Sequence, residues 1–107
     1  MEAEQLKGHL DGLVLAVIAD EPKHGYAVIE ALKVRSQGRL DLPEGTIYPA
    51  LHRLEETGLL GSSWADAAGR KRRIYALTDK GVAALAAERR EWRRFASGVQ
   101  AVVAWTA

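Results

Sequence analysis

Apolar residues recur along this chain at two different periods, and the change from one to the other outlines a fold. Leu6, Leu10, Leu13, Val14, Val17 and Ile18 fall on one face at spacings of three and four, which predicts a first helix. Asp20-Glu21-Pro22 ends it, because proline disfavours helical geometry in the residue before it. A second helix is expected from about His24-Gly25-Tyr26, burying Tyr26, Ile29 and Leu32 and fading at Ser36-Gln37-Gly38. Gly38–Pro43 is a short connection. The third helix starts at Pro43 or Glu44 and turns Ile47, Ala50, Leu51 and Leu54 inward. Pro49 would break a helix interior, but in the first turns its missing N–H costs little. Gly58 is placed to cap the C-terminal end.

Beyond Gly58 the period shortens to two. Leu59–Ala65 and Lys71–Leu77 read as paired strands, with Ala67-Ala68-Gly69 at the turn and Arg70 at the hairpin tip. Alternation puts Lys71, Arg73, Tyr75 and Leu77 on one side and Arg72, Ile74 and Ala76 on the other. Thr78 is a candidate N-cap for a last helix running from Asp79 to near Ala104. On that helix Val82, Leu85, Arg89, Trp92, Ala96, Val99 and Val103 alternate spacings of three and four, the seam of a coiled coil interrupted by Arg89. Trp92, Phe95, Val99 and Val102 make a second apolar face.

Three helices, a hairpin and a long final helix predict a mainly α fold with a small β-hairpin, in the order of a winged helix-turn-helix. Residues 1–78 would form the DNA-binding domain and residues 79–107 a C-terminal dimerisation helix. A helix this long leaves little of its own domain to pack on, so a second subunit is the expected cover. Packing back onto the first helix of the same chain is the alternative, and the two can coexist.

Composition sharpens this picture at a few points. The 107 residues carry a net charge of +1, which argues against a uniformly basic binder. Arg and Lys instead concentrate at 70–73 and 89–94, and the first cluster lies in the hairpin. Cysteine is absent, which removes disulfides, thiolate metal sites and Cys nucleophiles. Met1–Gly8 does not resemble a signal peptide, and the apolar run Leu13–Ala19 is too short to span a bilayer. A cytoplasmic protein with no membrane partner is expected.

The candidate chemistry is recognition rather than catalysis. With Ile47, Leu51 and Leu54 inward, Glu44, Thr46, Tyr48, Pro49, His52 and Arg53 remain on or near the outer side of the third helix. Thr and Tyr hydroxyls can donate to phosphates, Pro and a Thr methyl can touch thymine methyl groups, and Arg53 can grip phosphate or read guanine. Tyr48 as a core aromatic is the competing reading. Arg70, Lys71 and Arg72 would meet the DNA backbone beside the groove. His9, His24 and His52 share no metal-binding spacing, although His9 with Glu2, Glu4 or Asp11 could form a weak surface metal site. No nucleophile–base arrangement or glycine-rich phosphate loop is visible, so neither an enzyme nor a cofactor is expected. Trp92, with Arg89 or Arg93 nearby, could sandwich a flat ligand against its copy across a two-fold axis, or serve as a plain packing anchor.

Four stretches carry a family resemblance. They are L-D-G-L-V-L-A-V-I, H-G-Y-A-V-I-E-A-L, E-G-T-I-Y-P-A-L-H-R-L-E-E-T-G-L-L and G-R-K-R-R-I-Y-A-L-T-D-K-G. Together, from Leu10 to about Leu85, they resemble the PadR-like transcriptional regulators, and the single last helix resembles that family's small subgroup. The resemblance implies a homodimeric repressor on a pseudo-palindromic operator, released by an effector. It implies DNA-reading roles for Thr46, Tyr48, Pro49 and Arg53 and wing roles for Arg70, Lys71 and Arg72. In drug-responsive small members a tryptophan of the last helix lines a pore at the dimer interface. Trp92 is similar to it, with Arg89, Phe95, Ala96 and Val99 around it. Pro43 departs from the pattern by standing where a Ser-like cap is usual, so part of the ~1 kcal/mol of a side-chain cap must come from elsewhere. The expected partners are a double-stranded operator, a second copy of the chain, and a planar hydrophobic ligand or a divalent metal. The rival readings are a metal-responsive regulator of the same fold and a winged-helix protein-interaction module.

Overall fold

The computed structural model describes residue 6, residues 8–67 and residues 69–106. Helix α1 spans Leu10–Ala19 and buries Val14, Leu15, Val17 and Ile18. Leu15 joins the expected face because α1 is the central element, touching α2 (Gly25–Arg35), α3 (Glu44–Glu56), the hairpin and the last helix.

In α2 the His24 Nδ1 accepts from the Ala27 N–H at 3.3 Å, which caps the helix. Its buried positions are Gly25, Val28 and Leu32. Tyr26 was expected in the core and is instead 55% exposed, while Val28 takes the inward place. The first two inward positions lie one residue earlier than the pattern of large side chains suggested, at 25 and 28 rather than 26 and 29. Gln37, at φ 58°, and the Gly38 N–H, bonded to the Lys33 carbonyl at 2.8 Å, close its far end.

In α3, Ile47, Ala50, Leu51 and Leu54 are buried as the spacing predicts. Pro43 gives no side-chain cap, but its carbonyl accepts from the N–H groups of Thr46 and Ile47 at 3.0 and 3.1 Å. At the other end the Leu59 N–H bonds the Leu54 carbonyl and the Gly58 N–H bonds the Glu55 carbonyl, with Gly58 at φ 81°. This double closure needs a left-handed residue, which is why glycine stands there.

Strands β1 (Leu60–Ala67) and β2 (Arg70–Leu77) pair antiparallel, from Leu60 opposite Leu77 to Ala67 opposite Arg70. The strands run further than the alternation indicated, so Arg70 is paired in the last rung rather than standing beyond the sheet. Ala68, placed at the turn by the sequence, lies outside the described residues. Lys23 adds a fragment of a third strand, exchanging backbone hydrogen bonds of 3.0 and 2.9 Å with Tyr75.

Helix α4 spans Asp79–Val103, and the Thr78 hydroxyl caps it by accepting from the Gly81 N–H. A Cβ at position 81 would lie 2.1 Å from the Leu59 carbonyl oxygen, so only glycine lets α4 start this close to the turn that leads into the wing. Only Gly81 and Leu85 of α4 are buried. Its first turns run along α1, with Ala84 on the core and Glu88 beside Gly12, and the later turns project, so that the molecule measures 60 × 28 × 22 Å. Among the described residues no helix is long and apolar enough to cross a membrane.

Candidate nucleic-acid interface

The outer side of α3 carries Pro49, His52 and Arg53 exposed and Thr46 half-buried. Tyr48 is also half-buried, because its ring lies on Gly25. A Cβ there would sit 2.5 Å from three of the tyrosine's outer atoms. The ring therefore leans toward the start of α2, where it meets Tyr26 edge-on at 6.4 Å between centroids. Its ring packs against the core cluster, as the core reading expected, and its exposed side lines an open cleft.

Arg53 points elsewhere. Its guanidinium is paired with Asp11 of α1 at 2.5 Å, and both side chains are about half exposed. Charge on this side of α3 is thus partly occupied within the protein.

The wing divides its basic residues into paired and unpaired ones. Arg73 reaches Glu55 of α3 at 3.4 Å and lies 5.4 Å from the centre of the Trp64 ring. The Ser62 hydroxyl donates to the same carboxylate. That bond first, and the Arg73 charge after it, hold the Glu55 carboxyl below its ordinary pKa. Arg70 and Lys71 are exposed and Arg72 is half-buried. None of the three is in an ion pair among the described residues. Arg72 lies 6.0 Å from the centre of the Tyr26 ring, and its Nε is buried without a hydrogen-bond partner.

Between these elements is a cavity of about 250 Å³ lined by His24, Gly25, Tyr26, Tyr48, Trp64, Tyr75 and Arg70–Arg73. The structure therefore brings Tyr48 together with the wing residues Arg70, Lys71 and Arg72. Thr46, Pro49 and Arg53 lie on α3 outside that cavity. His24, Tyr26 and Trp64 also line the cavity and were not among the candidate residues read from the sequence. His24 is held below its usual pKa, first by burial and then by the Arg72 charge. The Tyr26 phenol is held above its usual pKa, chiefly by the Glu44 carboxylate beside its hydroxyl.

The second predicted site lies on α4. Trp92, Phe95 and Val99 are 52%, 61% and 45% exposed, with Val102, Val103 and Trp105 more so. Trp92 and Phe95 stand 5.8 Å apart, and the His9 ring meets Trp92 edge-on at 5.7 Å. Arg89 is exposed and Ala96 half-buried. The expected seam needs one correction. Leu85 belongs to the protein's own core, packed where α4 crosses α1, whereas Val82 is 57% exposed. The two cannot share one intermolecular stripe, so the free apolar band begins only after Leu85. His9, the metal candidate, is engaged with Trp92, and its proposed companions Glu2 and Glu4 lie outside the described residues. Among the described residues no three His, Asp or Glu side chains are grouped to hold a metal.

This arrangement of reading helix, cationic wing and projecting helix is shared with known proteins. Residues 14–87 match the model of the transcriptional regulator PadR-like family. The chain is 40% identical over 86 residues to transcriptional regulator Rv3488 of Mycobacterium tuberculosis, covering 80% of this chain and 78% of that one. Among solved structures it resembles a PadR-like transcriptional regulator from Bacillus cereus. The TM-score is 0.84 at 30% identity, over 97% of this chain and 100% of the other. A PadR-like transcription factor from Bacteroides fragilis gives a TM-score of 0.76 at 31% identity, over 94% and 95%. By fold, motif and sequence, this chain is a member of the PadR-like family of DNA-binding transcriptional regulators.

Proposed function

We propose that the protein is a homodimeric repressor of the cytoplasm. It binds a pseudo-palindromic operator and is released by a small planar hydrophobic ligand at the dimer interface. The observation that carries this reading is the exposed band Trp92, Phe95, Val99, Val102 and Val103 on one projecting helix. A monomer has no use for so much apolar surface in water, and a two-fold partner covers it with the same band. In the dimer the two α3 helices address half-sites about 34 Å apart on one face of the duplex. Thr46, Tyr48 and Pro49 face base edges and sugars, while Arg70, Lys71 and Arg72 meet phosphates. Trp92, with Arg89 near it, supports a ligand position on the two-fold axis. A flat ligand seated there changes the spacing of the reading helices and misaligns the half-sites.

The test is fluorescence anisotropy of labelled duplex from upstream of this protein's own gene, at two salt concentrations, alongside light scattering for mass. Dimer mass with tight, sequence-dependent and steeply salt-dependent binding supports the reading. A monomer at micromolar concentration overturns it.

A further inference from the structure

The cleft between the start of α2 and the wing combines open aromatic surface with an unsatisfied guanidinium. It measures about 250 Å³, room for one planar ring system with the rest of the ligand at the mouth. Tyr26 is 55% and Trp64 64% exposed, and Tyr48 meets Tyr26 edge-on at 6.4 Å. Such rings in a concave wall suit a flat π-system. Arg72 is half-buried, and its Nε is buried without an acceptor. Leaving that donor unmade is costly, and no carboxylate lines the cleft to serve it. Arg73 is already balanced by Glu55. Arg70 and Lys71 are exposed and have no ion pair among the described residues, so the mouth is cationic. These features sort ligands. A compact inorganic anion leaves the rings uncovered, and a neutral aromatic leaves Arg70 and Lys71 unanswered. A nucleotide answers each of them. Its base lies among the rings, an acceptor on the base edge takes the Arg72 N–H groups, and its phosphate meets Arg70 and Lys71. Guanine fits the guanidinium fork best, because its O6 and N7 acceptors stand side by side.

We propose that this cleft binds a free guanine mononucleotide, and that the nucleotide and the operator exclude each other. Tyr48, Arg70, Lys71 and Arg72 line the cleft and are also assigned to the duplex, so they cannot serve both ligands at once. The exclusion rests on that assignment; the nucleotide site itself does not. By linkage, each ligand lowers the other's affinity by the same factor. Such a signal acts on the DNA-reading head directly. It differs in place and in chemistry from a hydrophobic ligand held by Trp92 on the two-fold axis.

The test titrates the protein with guanosine monophosphate by calorimetry and tryptophan fluorescence, first without DNA and then against the labelled upstream duplex at fixed ionic strength. Saturable binding is expected, with quenching that Trp64→Phe removes. Arg72→Gln should weaken the nucleotide about tenfold or more, the loss of one bidentate base contact. If that variant does not fold, Arg72→Lys takes its place with a similar loss, since an ammonium lacks the fork. Adenosine monophosphate should bind about tenfold more weakly than the guanosine form. Trp92→Ala should keep wild-type nucleotide affinity. In competition the nucleotide displaces the duplex and inorganic phosphate does not. The site is overturned by any of four results: no saturable binding, equal affinity for the adenosine form, unchanged affinity in the Arg72 variant, or binding lost in Trp92→Ala. Displacement of the duplex by inorganic phosphate alone would mean a simple anion effect and also overturn it. Nucleotide binding that leaves duplex affinity untouched overturns the exclusion. A wild type that binds the nucleotide but no duplex overturns the DNA assignments, and the exclusion with them, while the nucleotide site stands.

Discussion

Tyr26 stands in the first turn of α2 with its ring centre 6.0 Å from the Arg72 guanidinium of the wing. Just before that turn Lys23 and Tyr75 exchange backbone hydrogen bonds, which hold the segment leading into α2 against β2. An exposed aromatic at a helix start is thus brought onto a wing cation by one isolated bridge. Gly25 lies between Lys23 and Tyr26, and there the Tyr48 ring comes in from α3.

Gly25→Ala should therefore act on the interface as well as on the fold. The new Cβ would overlap the Tyr48 ring at 2.5 Å, and the ring must swing away. We expect a loss of about 1–3 kcal/mol in urea unfolding and roughly tenfold weaker DNA binding. Wild-type DNA affinity in the folded variant would show that the position of Tyr48 does not matter to recognition.

Much of this arrangement was legible in the sequence. The inward face of α3, Ile47, Ala50, Leu51 and Leu54, followed from helical spacing alone, and Gly58 and Thr78 from capping chemistry. Tyr26 was not legible. Periodicity assigns a large ring to the core by default, and only the tertiary approach of Tyr48 to Gly25 turns Tyr26 outward. Leu85 and Val82 show the same limit. Their spacing suits one seam, but where α4 crosses α1 decides which of them is covered. Nor does sequence distance hint that Asp11 and Arg53, 42 residues apart, would pair.

Asp11→Asn should release Arg53. With both partners about half exposed, the pair adds at most about 1 kcal/mol to stability, so the melting curve should barely move. Affinity for random DNA should rise by a few-fold, with a steeper salt slope, because Arg53 becomes available to phosphate. Unchanged affinity and slope would place Arg53 outside the DNA contact.

His24 links stability to pH. Burial first, and the Arg72 charge second, lower its pKa in the folded protein below the ordinary 6.5. Between those two values the unfolded chain binds the proton and the folded one does not. Stability is therefore full above about pH 6.5 and declines as pH falls through that window. Protonation also takes away the Nδ1 acceptor that caps α2. His24→Asn, which can keep a cap, should flatten the decline in melting temperature between neutral pH and pH 5. An equal decline in the variant would assign the effect to carboxylates.

Trp92→Ala should separate the two halves of the α4 reading. Removing a large ring from a half-covered band weakens self-association by about 2 kcal/mol or more, read as a rise in the dimer dissociation constant by sedimentation. The domain itself should melt as before, since Trp92 is 52% exposed in the single chain. A variant with wild-type dimerisation would place the subunit contact on another face.

The contact between Gly81 and the Leu59 carbonyl has a mechanical meaning. With no room for even a methyl group between them, the first turn of α4 is welded to the hinge-side root of the wing and the exit of α3. The 25-residue helix beyond that weld is a lever about 37 Å long. Any tilt forced on its base has to be carried as a rotation of the whole head, reading helix and wing together. Gly98, with open space around it, offers the distal end a place to flex, so a disturbance beyond that point can be absorbed in the tail. Where along this arm a force acts therefore decides whether the head turns with it.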